Sequence, residues 1–310
     1  MALPASVART RVAEIIEVTN GTTPTTPVFQ NLRVTGAGLR SNKGTAPIRE
    51  LRSDANVIAE VQTAQWATGA YNFALSYGSF DDIFSSALRN TWSTNVLKNG
   101  TSIISMTFEE TLDHNGSSTY ARVPYALVDT LSLQIDAEKE VTGSFGLIGQ
   151  KLVVDTAIAS GATYTATNTK MPMAAGLSVA ALSVLGLSTP KVKGLKLDIK
   201  NGIRRRHVVD SLYPDSFGYD LMDVTGSVDI YFDSNAALTQ VLNHGTGSIA
   251  ATIGQTTNEK YTISLPVVQF LDGVRQLGGT NADVLMSIPF RATGSDNSSN
   301  PSISITRAVA

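Results

Sequence analysis

Two stretches of this chain, half a chain apart, carry the same succession of apolar and polar positions. From Thr68, TGAYNFALSYGSFDDIFSSALRN alternates Tyr71, Phe73 and Leu75 with small or polar residues, the period of a half-buried strand. From Thr225, TGSVDIYFDSNAALTQVLN alternates Val228, Ile230 and Phe232 in the same way. Both then switch to helical spacing, through Phe80, Ile83, Phe84, Ala87 and Leu88 in the first and Ala237, Leu238, Val241 and Leu242 in the second. Ser79 stands where a cap is needed, with Asp82 at capping-box spacing; Ser234 precedes the second helix, and Asn90 and Asn243 mark the two ends.

The order downstream agrees. TSIISMTFEET from Thr101 parallels TGSIAATIGQTT from Thr246, and YARVPYALVD from Tyr120 parallels YTISLPVVQFLD from Tyr261, with Pro124 and Pro266 in matching places. An Asn115-Gly116 turn lengthens the first copy. Collinear order, rather than identity, predicts a duplicated domain. Strands are expected near 56–62, 69–77, 101–111, 119–126, 129–136 and 140–149, and again near 191–200, 247–256, 260–270 and 282–292. The domains follow as 1–55, an N-terminal arm and loop punctuated by NGTTPTTPVFQ; 56–150, the first copy; 151–190, a charge-poor connector; 191–292, the second copy; and 293–310, a C-terminal tail. The tail ends in a short alternating strand without an evident partner in the repeat, which is expected to pair with a neighbouring subunit.

Composition narrows the picture. With 310 residues, 42% hydrophobic and 16% charged, the chain can bury a core, and 24 basic against 26 acidic residues provide no footprint for gripping nucleic acid. There is no cysteine, so thiolate metal sites and disulfides are excluded. Charges at Arg9, Arg11 and Glu14 argue against a secretory signal, and Gly, Ser and Pro dilute the apolar run from Met171, which reads as a buried segment or subunit contact rather than a membrane span.

Catalytic patterns are scarce. His114, His207 and His244 have no ligand-like spacing, and no phosphate loop or nucleophile elbow is present. The pairs Glu109-Glu110 and Asp81-Asp82 could serve acid/base chemistry, but Asp81 and Asp82 are accounted for by the first turn of a helix, where the dipole favours negative charge. No enzyme, metal or cofactor is expected. The one concentrated charge is Arg204-Arg205-Arg206, in an excursion over 201–223 that also holds Tyr213 and Tyr219; a contact with another subunit is the expected use.

SYGSFDDIFSSAL from Ser76, VTGSFGLIG from Val141, KGLKLDIKNGI from Lys193 and VTGSVDIYFDSNAAL from Val224, in this order over about 44–292, resemble recurring pieces of the major tail tube proteins of long-tailed, siphovirus-type bacteriophages, in a duplicated form. The resemblance implies a mainly β fold: two tandem tail-tube-like β-sandwich domains, each with one flanking α-helix, whose inner sheets form a shared barrel on oligomerisation. It implies homotrimeric, pseudo-hexameric rings stacked into a hollow, non-contractile tail that conducts viral DNA without specific binding, assembled in the host cytoplasm and carried in the virion. Tape-measure, tail terminator and baseplate proteins are the implied partners, and no membrane is involved. Ring contacts then fall to the loop with Arg204, Arg205, Arg206, Tyr213 and Tyr219, and the lumen to Asp229, Asp233, Asn72 and Ser76, which bring no positive charge to a sliding duplex. Another phage ring protein of the same fold, a terminator or baseplate hub, is the nearest alternative. A two-domain carbohydrate-binding module is a further one, for which Trp66 and Trp92 would be the aromatic platforms; Trp66 is better read as core.

Overall fold

Alternation produces strands along most of the chain. The computed structural model describes residues 4–187, 190–276 and 283–309. Parts of the expected connector (188–189), of the second copy (277–282) and of both termini lie outside them. After a 3-10 turn at Val7–Arg9 the first half runs β1 (Arg11–Ile16), β2 (Val28–Asn31), β3 (Val34–Ile48), β4 (Ala59–Ala74), α1 (Asp81–Leu88), β5 (Val96–Lys98), β6 (Met106–Asp113), β7 (Ser118–Asp136), β8 (Thr142–Gly149), β9 (Val153–Asp155) and β10 (Thr163–Thr165). A four-residue helix α2 (Ala175–Ser178) leads into β11 (Val179–Leu185), β12 (Val192–Lys200), β13 (Arg204–His207), β14 (Pro214–Gly218), β15 (Asp223–Tyr231), α3 (Asn235–Leu242), β16 (Thr246–Ile253), β17 (Tyr261–Phe270), β18 (Val274–Gln276), β19 (Leu285–Thr293) and β20 (Ser304–Arg307). The fold is mainly β.

Six antiparallel pairings recur in the same chain order. In the first half they are β1 with β6, β3 with β4, β4 with β8, β6 with β7, β7 with β8 and β7 with β9. In the second they are β11 with β16, β12 with β15, β15 with β19, β16 with β17, β17 with β19 and β17 with β20. The halves are joined by β7 and β12, antiparallel from Thr130↔Lys200 to Asp136↔Gly194, so that β3-β4-β8-β7-β12-β15-β19 form one continuous layer.

The bend in β7 has a local cause. Its start pairs with β6 and its end with β8 and β12, and the change of layer falls where Pro124 supplies no N–H and Tyr125 takes φ 50. The freed Tyr125 N–H donates to Glu17 Oε1 at 2.9 Å, deep in the protein. Across the layers, Tyr71 and Phe145 face Phe108, and Leu133, Ile135, Leu195 and Leu197 face Ile249, Ala251, Ile263 and Leu265. Both halves therefore contribute to a single apolar core. The glycine of each Thr-Gly pair admits a crossing side chain: a Cβ on Gly69 would stand 2.9 Å from Leu39 Cδ2, and one on Gly226 would stand 2.5 Å from Phe290 Cζ and overlap the Lys196 carbonyl.

Several expectations change. The stretch 1–55 is not a free arm, because β1 and β3 are ladder members and Val12, Ala13, Phe29 and Leu32 are buried. The expected connector is divided, with β9 and β10 pairing in the first half and β11 in the second. The tail strand β20 finds its partners inside the chain, β17 on one side and β5 on the other, with Ile303 and Ile305 buried. Ser79 does not cap α1: Phe80 holds the N-cap position, and the Ser79 hydroxyl shares a 2.7 Å hydrogen bond with Ser76. α1 is closed by left-handed Arg89, one residue before the expected Asn90, whereas Asn243 does cap α3, with left-handed His244 following it.

Candidate functional site

Register along the continuous layer assigns its two faces. Residues opposite one another share a face, so one row reads Gly36, Asn72, Ser144, Ser132, Asp198, Thr225 and Arg291 from β3 to β19. Neighbouring rows read Ala74, Thr142, Gln134, Lys196, Ser227 and Pro289, then Asp136, Gly194, Asp229 and Ser287. The alternate residues, from Tyr71 and Phe73 through Leu133 and Leu197 to Ile288 and Phe290, are buried in the core. The molecule thus presents a polar wall seven strands wide.

Several cations on this wall stand beside carboxylates, whereas Arg40, in phase with Gly36 on β3, makes no ion pair among the described residues. Lys196 pairs with Asp198 at 3.0 Å, Arg291 with Asp223 at 3.0 Å, and Lys200 lies opposite Asp223 in the β12–β15 ladder. Asp136 meets Lys139 at 3.2 Å. Asn72 and Asp229, two of the residues expected to face a lumen, share the wall with three strands between them. Asp229 borders an open recess of about 300 Å³ with Asp136, Lys193 and Gln276. Asp233 is exposed beyond the end of β15, off the ladder. Ser76, also expected to face a lumen, does not: it is fully buried, its hydroxyl bonded to Ser79 at 2.7 Å.

The excursion expected to make subunit contacts is a hairpin folded back on the first half. Leu212 O accepts the Gln65 N–H at 2.7 Å, Pro214 O accepts Gln150 Nε2 at 3.0 Å, and Phe217 is buried edge-on against Tyr125. Arg204, Arg205 and Arg206 are exposed; the Arg205 guanidinium nevertheless stacks 3.6 Å from the Trp66 ring, and this partial burial pushes its pKa down. Trp66 is therefore half-buried under an arginine rather than a core residue. Tyr213 lies 5.8 Å from Lys151 Nζ. Tyr219 stacks 5.0 Å from Arg89, and burial pushes its hydroxyl up in pKa. The tip is apolar and open, with Val208, Val209 and Leu212 exposed, and Leu221 is exposed beyond β14; the β3–β4 hairpin exposes Ile48, Leu51, Val57, Ile58 and Val61.

The carboxylates are structural. Asp81 Oδ2 binds Arg307 at 2.6 Å and its other oxygen accepts the Tyr261 hydroxyl at 2.5 Å, so it ties α1 to the second half as well as answering the helix dipole. Glu109 is sealed by Arg122 at 2.6 Å and the Tyr164 hydroxyl at 2.5 Å. Glu110 Oε1 accepts the Tyr71 hydroxyl at 2.7 Å and the Leu39 backbone N–H at 2.9 Å. Two buried acids had no place in the sequence-based expectations, Glu14 and Glu17; their signal was two charges set in the otherwise apolar run VAEIIEV. His114 Nε2 contacts Thr119 Oγ1 at 3.0 Å. Among the described residues no cluster of three potential metal ligands occurs, and no helix is long and apolar enough to cross a membrane.

A family model described as phage tail tube protein matches residues 7–292. No curated protein matches the chain.

Proposed function

The chain belongs to the phage tail tube protein family, whose members are structural subunits that assemble into the tube of the virion tail, and from that premise we propose that three copies close a pseudo-sixfold ring and that rings stack into a hollow, non-contractile conduit for viral DNA. The observation that carries this is the recurrence of six pairings in two halves joined edge to edge through β7 and β12. If each half is one copy of a tube domain, three chains supply six, and cyclic closure needs no second type of subunit.

In this reading the polar wall lines the lumen. Every fixed cation facing a duplex adds counterion-release affinity, which would brake a sliding genome. Lys196 and Arg291 are each neutralised by a carboxylate at 3.0 Å, which supports a wall that neither grips nor strongly repels phosphate. The apolar tips of the β3–β4 and β13–β14 hairpins are the stacking surfaces, with Arg204, Arg206 and Tyr213 at their margin. A tape-measure protein inside the tube, and terminator and baseplate proteins at its ends, are the remaining partners. Assembly would occur in the host cytoplasm.

Negative-stain electron microscopy of concentrated protein tests the reading. Stacked rings with three subunits and six-lobed outlines are expected. Discrete rings that never stack would instead favour a terminator or hub, and solid or irregular assemblies would sink the conduit.

A further inference from the structure

Resting on the ring reading, we propose that Glu110 guards the edge by which one copy joins the next: it holds the Leu39 amide until the β18 edge of a second copy takes that amide over. The join inside the chain supplies the template. β12 opens the inner layer of the second half as β3 opens that of the first, with Leu197 opposite Gly226 just as Leu39 is opposite Gly69. The end of β7 lies along β8, and β18 lies along β19 in the corresponding place, with Val274 opposite Ser287 where Ser132 is opposite Ser144. Since β7 pairs with β12, the equivalent step between copies is β18 with β3. Among the described residues β3 pairs only with β4 and β18 only with β19, so both outer edges are open.

An open edge strand of fifteen residues is a template for wrong pairing. Here one of its donors is occupied, since Leu39 N–H donates to Glu110 Oε1, and a carboxylate is a strong acceptor for a backbone amide. Among the described residues the second half has no such device. On its corresponding ladder the residues that face the inner layer are Ile249, Ala251 and Ile253, opposite Leu265, Ile263 and Tyr261, and none of them carries a carboxylate. The carboxylate thus occurs on the half whose edge is open and is missing where β7 already covers the edge. Exchange is balanced: a carbonyl of the incoming strand replaces the carboxylate at Leu39, and Glu110 keeps the Tyr71 hydroxyl.

The chain has no cysteine, so engineered disulfides can be read without background. Asp198 opposite Ser132 inside the chain maps to Arg40 opposite Val274 between chains, and both of these side chains are exposed. Oxidised rings of the Arg40→Cys/Val274→Cys variant should yield covalent dimers and trimers on denaturing gels. The Tyr71→Phe/Glu110→Ala variant, which leaves no orphaned hydroxyl, should form rings at several-fold lower protein concentration, with Glu110→Gln in between. Rings that never cross-link would overturn the β18–β3 join and leave the tube reading standing. Cross-linked rings with an unchanged assembly threshold, in guard variants whose melting is normal, would overturn the guard alone. Monomers at every concentration would remove the ring reading and this inference together.

Discussion

At the scale of residues, buried acids set the stability of the first half. Glu14 is held well above the ordinary carboxylate range, first by burial and then by the neighbouring Asp82, and its Oε2 has no hydrogen-bond partner. Asp82 is raised by burial and by Asp81, against smaller opposing effects of Glu14 and Arg307. A raised folded pKa means that the folded chain keeps a proton the unfolded chain releases near the ordinary carboxylate value of 4.5. Stability from this group is full below that pH and declines as pH rises through the folded pKa. Melting should therefore be lower at pH 8 than at pH 5, and Glu14→Gln should flatten the slope and raise the pH 8 midpoint by roughly a few degrees; an unaltered slope would show that Glu14 does not carry it. Glu17 is by contrast fully partnered, accepting from Gly21 N, Ser105 Oγ, Thr107 Oγ1 and Tyr125 N at 2.6 to 2.9 Å. Glu17→Ala strands those donors where β7 changes layers and should cost about 3–5 kcal/mol in urea unfolding.

Among the elements, what was legible followed from local period. Leu195, Leu197 and Ile199 against Lys196, Asp198 and Lys200 marked β12, and the Thr-Gly modules marked β4, α1, β15 and α3. What was hidden depended on partners. TGAGLRSNKG lacks clean alternation, so β3 read as a loop; its order comes from a ladder with β4 that no window of sequence contains. The runs 119–126 and 129–136 read as separate strands because the bulge between Val128 and Thr130 within one strand resembles a break. On the candidate site, alternation put Asn72 and Asp229 opposite apolar neighbours, whereas phasing could not see that Ser76, past the end of β4, is buried. The tail strand seemed orphaned because β5 and β17 lie far away in sequence. Ile305→Ala should cost about 2–4 kcal/mol, since it opens a cavity under a strand that clamps both halves; a denaturant midpoint within error of wild type would mean β20 is dispensable. Gly226→Ala should destabilise by about 1–3 kcal/mol by pushing on Phe290. Gly36→Ala, where nothing lies within 4 Å, is the control.

For the whole molecule, the decisive quantity is charge on the wall rather than net charge. A formal charge of −2 over 310 residues produces little long-range repulsion. On the proposed conduit reading, passage of a duplex would then depend on how cations are held within the layer. The Lys196–Asp198 and Arg291–Asp223 pairs are exposed, and pairs of that kind contribute about 0–1 kcal/mol to stability, so breaking them should leave the fold intact. Their carboxylates therefore serve the wall more than the fold. Asp198→Asn/Asp223→Asn leaves Lys196 and Arg291 unpaired and removes the carboxylate opposite Lys200, and the proposed threefold closure would repeat that change three times in every ring. Tubes of this variant should retain duplex DNA in cosedimentation, with retention falling steeply between about 50 mM and 200 mM salt as counterion release requires. Wild-type tubes have the same outer surface and should retain little, so the difference isolates the wall. Equal retention by both would mean that this polar face does not line the channel.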